Sequence, residues 1–234
     1  MSDPLLSIDS LEAFYGDACA LHGLSFSLSR GETLALIGAN GAGKSTLLKC
    51  ICGLVNRKHG AIRFKGRDIS ALPASAVVKL GIAMVPEGRR LFPSLSVEEN
   101  LILGGNVARP GPWTLKTVYS LFPVLSERRN QPSTSLSGGQ QQMVAIGRAL
   151  MSNPELLLLD ELSLGLAPII IKDIYELLPR ITGDGMTAIL VEQDVTRALN
   201  SGTSFICLQE GRISLAGEPT HYSREAITHA YFGT

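Results

Sequence analysis

The chain has 234 residues, 45% of them apolar and 18% charged, and its 21 Lys and Arg balance 21 Asp and Glu to a formal net charge of zero. A neutral chain has no basic field to hold a polyanion, which argues against nucleic acid as a partner. The apolar runs are strand-sized, far short of the ~20 residues a bilayer span needs, and Met1-Ser2-Asp3-Pro4 shows no basic segment leading into an apolar one, so a soluble cytoplasmic protein is predicted.

Residues 5–8 and 24–28 read as short strands, the second alternating with period two, and predict an antiparallel β layer. The apolar run 34–37 then enters Gly38-Ala39-Asn40-Gly41-Ala42-Gly43-Lys44-Ser45, with a helix predicted over 44–54. A β segment at 61–64 turns at 65–68, and residues 82–85 form a core strand ending at Pro86. From 87 to 138 helical stretches at 97–103 and 115–121 alternate with Gly- and Pro-rich turns, which predicts an inserted helical subdomain. The core resumes with helices at 140–151 and 168–178 and strands at 156–159, 187–191 and 205–208. Such alternation implies parallel pairing through crossovers. The predicted fold is α/β: a P-loop NTPase core with a mainly parallel sheet, an N-terminal antiparallel β subdomain and the helical insert, all one domain over 1–234, with the core and β layer from 1–86 and 139–234.

The glycine-rich turn between strand and helix reads as a phosphate-binding loop. Gly38, Gly41 and Gly43 let the chain curl so that backbone N–H groups, including those near Asn40, Ala42 and Thr46, point inward at phosphate oxygens, and the helix N-terminus adds partial positive charge. Lys44 is expected to reach the β- and γ-phosphates of a nucleotide and Ser45 to ligate Mg²⁺. The strand at 156–159 ends in Asp160-Glu161 at the edge where open α/β sheets bind ligands. Asp160 suits Mg²⁺ through its water shell, and Glu161 suits the water that attacks the γ-phosphorus. Leu136-Ser137-Gly138-Gly139-Gln140, just before a predicted helix, forms a second anion-binding device. One nucleotide does not need two such devices, so this one is read as completing another subunit's site, with an ordinary helix cap as the alternative. Cys19, Cys50, Cys52 and Cys207 are scattered and predict reduced thiols, and His22, His59, His221 and His229 lack metal-ligand spacing.

These three motifs, in this order and spacing, resemble the nucleotide-binding subunit of ATP-binding cassette transporters over essentially the whole chain. The resemblance implies that Tyr15 stacks on adenine, that Ser163-Leu164-Gly165-Leu166 crosses a dimer interface, and that two cassettes clamp ATP between them. Three positions depart from the usual pattern: Glu87 stands where Gln is common, Gln193 where His is common, and Leu162 where Pro follows the paired acids. The first two changes, with the stretch 94–101, look like an ATPase subunit of branched-chain amino-acid importers, a group whose relatives also handle urea and short amides. Permease subunits, a second cassette ATPase (a sibling or a second copy), an extracytoplasmic solute-binding protein and a place on the cytoplasmic face of the cell membrane follow from that likeness.

Glutamine orients water and donates to a γ-phosphate oxygen but carries no proton near neutral pH, so Gln193 reads as a positioning residue with Glu161 the catalytic one. Glu87 adds negative charge beside phosphates and Mg²⁺, which favours a coupling role with water-mediated metal contact. Leu162 leaves the turn carrying Glu161 looser than Pro would, unless local packing holds it. Leu91, Phe92 and Leu95 fit either a permease contact or core packing. A soluble cassette ATPase acting on nucleic acid or ribosomes is the rival reading, against which stand the missing heptads and second phosphate loop. A P-loop kinase or GTPase would leave residues 136–140 without a role.

Overall fold

The computed structural model describes residues 3–56, 58–183 and 185–232. A four-stranded antiparallel sheet, ordered β2-β1-β4-β5, is built from β1 (Leu6–Tyr15), β2 (Ala18–Leu28), β4 (Lys58–Phe64) and β5 (Arg67–Asp68). The first two strands run well beyond the short segments read from the sequence. Ser10, at φ 49°, sits in a register shift between Ile8 and Leu11, so the inward face changes parity midway and the alternation that marks a strand is broken.

The second sheet is ordered β10-β9-β3-β8-β7-β6. β6 (Ile82–Val85), β7 (Leu156–Asp160), β8 (Thr187–Val191), β3 (Thr33–Ile37) and β9 (Ser204–Gln209) pair in parallel, and β10 (Arg212–Gly217) adds an antiparallel edge through a turn at Glu210-Gly211. Every residue of β7 and β8 is buried, as a sheet covered by helices on both faces requires. Because β3, β6, β7 and β8 run the same way, their carboxyl ends deliver the phosphate loop, Glu87, the paired acids and Gln193 to one edge. The short helices α2 (Ala74–Leu80) and α8 (Val195–Ser201), the terminal α9 (Arg224–Phe232) and strand β10 escaped the sequence reading, whereas the longer α1 (Lys44–Ile51) and α7 (Pro168–Thr182) lie close to their predicted ranges.

Between β6 and β7 the chain is helical: α3 (Val97–Gly105), α4 (Leu115–Leu121), α5 (Pro123–Glu127) and α6 (Gly138–Leu150). Val97, Leu101, Val118 and Leu125 join Val144 and Ile146 of α6 and Val85, Leu157 and Leu159 of the sheet in one buried cluster, so α6 serves both the helices and the core. The α3–α6 crossing depends on Gly104, where an added Cβ would lie 1.9 Å from the Arg148 carbonyl oxygen.

Arg109 pins this helical segment to the base of the core. Its guanidinium donates to the carbonyls of Lys79 and Asn153 and, at 2.8 Å, to Glu155, which also meets Arg30 at 3.1 Å and Lys65 in a short bond. Partial burial pushes the Glu155 carboxyl up, but the hydrogen bonds from Lys65, Arg30 and Arg109 outweigh it and hold the group below its ordinary value near 4.5. A carboxyl depressed on folding stabilises the native state above its unfolded value, and that stabilisation is lost as pH falls through the folded value. With Arg30 and Lys65 exposed and screened, Glu155→Gln is expected to lower stability by about 1–2 kcal/mol at neutral pH, carried mainly by Arg109. Denaturant melts of the two chains check this: the gap narrows as pH falls below about 4.5 and closes through the lower folded value, and a gap that does not narrow below pH 4.5 contradicts it.

Candidate active site

The phosphate loop wraps the start of α1. Gly43, at φ 102°, caps the helix with an added Cβ excluded by Leu21 at 2.7 Å, and at Gly38 (φ 151°) a Cβ would strike the Leu208 carbonyl oxygen at 2.3 Å. Lys44 is 4% exposed, donates to the carbonyls of Gly38 and Ala39 at 2.7 and 3.0 Å, and approaches Glu161 to 3.9 Å. Burial lowers the proton affinity of its amine, and the nearby Glu161 and Asp160 carboxylates partly restore it. A cavity of about 440 Å³ opens over the loop, lined by Asn40, Gly41, Gly43, Lys44, Ser45 and Thr46 on one side and by Glu87, Glu161 and Gln193 on the other. Ala20 of β2 and Leu164 complete its rim, two positions with no chemical signal in the sequence.

Asp160, 2% exposed, accepts a hydrogen bond from Ser45 Oγ at 3.0 Å. Desolvation raises its carboxyl, the Ser45 bond opposes that, and the neighbouring Glu161 and Glu87 charges raise it further. A site that crowds carboxylates in this way suits a cation, and its donors, a hydroxyl and carboxylate oxygens, are the hard ligands Mg²⁺ prefers. Glu161 sits at φ 50°, a backbone conformation costly for a side chain with a Cβ and concentrated at functional sites. Its amide donates to Val191 O at 3.1 Å, and its carboxylate accepts from Gln193 Nε2 at 2.7 Å. Leu162 is fully buried in one cluster with Leu159 and Leu190, so packing holds the turn that carries Glu161.

Other predicted positions lie apart. Tyr15, 50% exposed at the end of β1, does not line the cavity. Ser137 caps α6 in a reciprocal box with Gln140, the serine oxygen accepting from the Gln140 amide at 3.3 Å, and neither they nor Gly138 and Gly139 line this chain's own cavity. Leu91 is half-buried against the core, Leu95 is half-buried, and Phe92 is 50% exposed. All four cysteines are free, with Cys52 just past the end of α1 rather than on it.

A family model described as ABC transporter matches residues 21–163, more than half of the chain. The chain is 48% identical over 211 residues to the high-affinity branched-chain amino acid transport ATP-binding protein BraG of Pseudomonas aeruginosa, covering 89% of this chain and 91% of that one. It is 31% identical to the ribose import ATP-binding protein RbsA of Caldanaerobacter subterraneus subsp. tengcongensis, where 99% of this chain spans 48% of that protein. Among solved structures, the ADP conformation of the ATP-binding cassette MJ1267 superposes with a TM-score of 0.81 at 27% identity over 100% of both chains. The dimeric post-hydrolysis cassette MJ0796, bound to ADP and Pi, gives 0.81 at 26% identity over 92% of this chain and 98% of that one. The chain therefore belongs to the ABC transporter family, as one of its ATPase subunits.

Proposed function

We propose that this chain hydrolyses ATP with Mg²⁺ on the cytoplasmic face of the cell membrane to power the uptake of leucine, isoleucine and valine through partner permeases. The observation that carries the reading is the meeting of Lys44, Ser45–Asp160 and Glu161–Gln193 around one cavity, in a chain 48% identical to BraG. Nucleotide phosphates compete with the Gly38 and Ala39 carbonyls for the Lys44 ammonium, and backbone N–H groups from Gly41 to Thr46 take the remaining oxygens. Ser45 and Asp160 would hold Mg²⁺, with Glu87 as a water-mediated contact, and the ion would neutralise charge on the phosphate oxygens. Glu161 accepts the proton of the attacking water as its oxygen joins the γ-phosphorus and the bond to ADP breaks, while Gln193 keeps the Glu161 carboxylate in place.

Ser137, Gly138, Gly139 and Gln140 stand outside this chain's own cavity, which supports a clamp in which they cover the ATP of a second cassette, as two cassettes pair in MJ0796. The exposed ring of Tyr15 is left free for adenine. The helical segment 87–138 carries the motion outward, with Glu87 as the coupling residue and exposed Phe92 facing the permease. No helix among the described residues is long and apolar enough to cross a membrane, so the permeases supply the path. Mild-detergent purification of the tagged chain from its native membranes with ATP and Mg²⁺ is expected to bring down two permeases and a sibling cassette ATPase. Recovery of ribosomal proteins or DNA instead would overturn the transporter assignment.

A further inference from the structure

Glu192 is 1% exposed just past the carboxyl end of β8, and the hydrolysis outlined above does not use it. Its carboxylate is met from three elements. Ser163 Oγ, two residues past Glu161, donates to one oxygen at 2.8 Å, Tyr175 from the middle of α7 donates to the other in a short bond, and Arg197 of α8 stands 3.7 Å away. Arg197 is itself held by Asp194 at 3.2 Å and lies 5.5 Å from the Tyr175 ring centre. Burial first, and then the Glu192 charge, push the Tyr175 phenol far above its ordinary value, so it stays a donor.

The backbone joins the same knot to the nucleotide side. The Glu192 amide donates to Leu36 O, near the end of the strand that feeds the phosphate loop, and the Glu161 amide donates to Val191 O. Leu164 both lines the nucleotide cavity and is 47% exposed, and its amide donates to Glu161 O at 3.2 Å. A buried carboxylate is stable only while its partners stay in place, so Ser163, Tyr175 and Arg197 are constrained to move with it.

We infer that Glu192 is a positioning residue that ties the loop 163–166 to the Glu161–Gln193 pair, so that a second cassette pressing on that loop is registered where the attacking water sits. The inference rests on the clamp proposed above. Ser163→Ala removes one donor, and Glu192→Gln removes the charge while keeping the size. In the complex purified with its membrane partners and assayed well below its unfolding temperature, each variant is expected to lower kcat for ATP about 3- to 20-fold with KM within about twofold. The double variant is expected to be no slower than the slower single, because both break one connection. Native kcat in Ser163→Ala, or losses that multiply in the double variant, would overturn it.

Amide hydrogen exchange on the free chain gives a readout that needs no turnover. Exchange at residues 163–166 quickens in both single variants, and protection unchanged in both counts against the connection. Failure of the Glu161→Gln chain to pair with a cassette in ATP would strike the clamp, whereas multiplied losses in a complex that still pairs would strike Glu192 alone.

Discussion

Glu161→Gln is expected to bind ATP as tightly as the native chain and to hydrolyse it at least about 10²-fold more slowly. The substitution keeps the length and one oxygen to accept from Gln193 Nε2, which in the native chain donates to the carboxylate at 2.7 Å, so the turn at φ 50° and the buried Leu162 behind it are undisturbed. What is lost is the carboxylate on the cavity wall that bonds Gln193 and approaches Lys44, since an amide does not take a proton from water near neutral pH. In the proposed clamp ATP binding closes the pair and hydrolysis opens it, so the variant is also expected to accumulate in the paired form. Phosphate release and nucleotide affinity, measured on the same preparation, separate these effects. A rate within fivefold of native would assign the water to another group, with Glu87, the other carboxylate on the cavity wall, as the alternative.

Lys44→Ala is expected to weaken ATP binding about 10- to 10²-fold, the loss of charge-assisted hydrogen bonds of roughly 1.5–3 kcal/mol. The buried ammonium is held by two carbonyls and a carboxylate at 3.9 Å, a position that costs desolvation and is recovered only when phosphates arrive. Its removal therefore leaves the fold nearly as stable as before while the site loses its central cation. Titration with a fluorescent nucleotide, beside a thermal melt, checks both halves. Native affinity in Lys44→Ala would place the phosphates elsewhere on the chain.

Much of this site was legible because its residues answer to backbone geometry. A loop that needs φ 102° at Gly43 and tolerates no Cβ at Gly38 writes glycine into the sequence, and a buried strand that ends in two acids declares the ligand edge. Glu192 carries no such mark: its burial comes from α7 and α8 folding over it, and its partners stand 29 and 17 residues before it and five after it, separations that no periodicity connects. The full lengths of β1 and β2 were hidden by the bulge at Ser10, and β10 by its half-exposed face. Whether Leu162 loosens its turn is likewise set by tertiary packing around it, which leaves no local mark in the sequence. The segment 136–140 reads in the sequence as an anion device for another subunit's site; that it does not line this chain's own cavity is a property of the tertiary fold.

Radiolabelled leucine uptake, in a strain lacking this chain and with other leucine importers disabled, tests the central claim most directly. Uptake is expected to be lost in the deletion, restored by the native chain and not restored by Glu161→Gln at equal expression. Undiminished uptake in the deletion strain would contradict the amino-acid assignment and turn attention to urea or short amides as the solute.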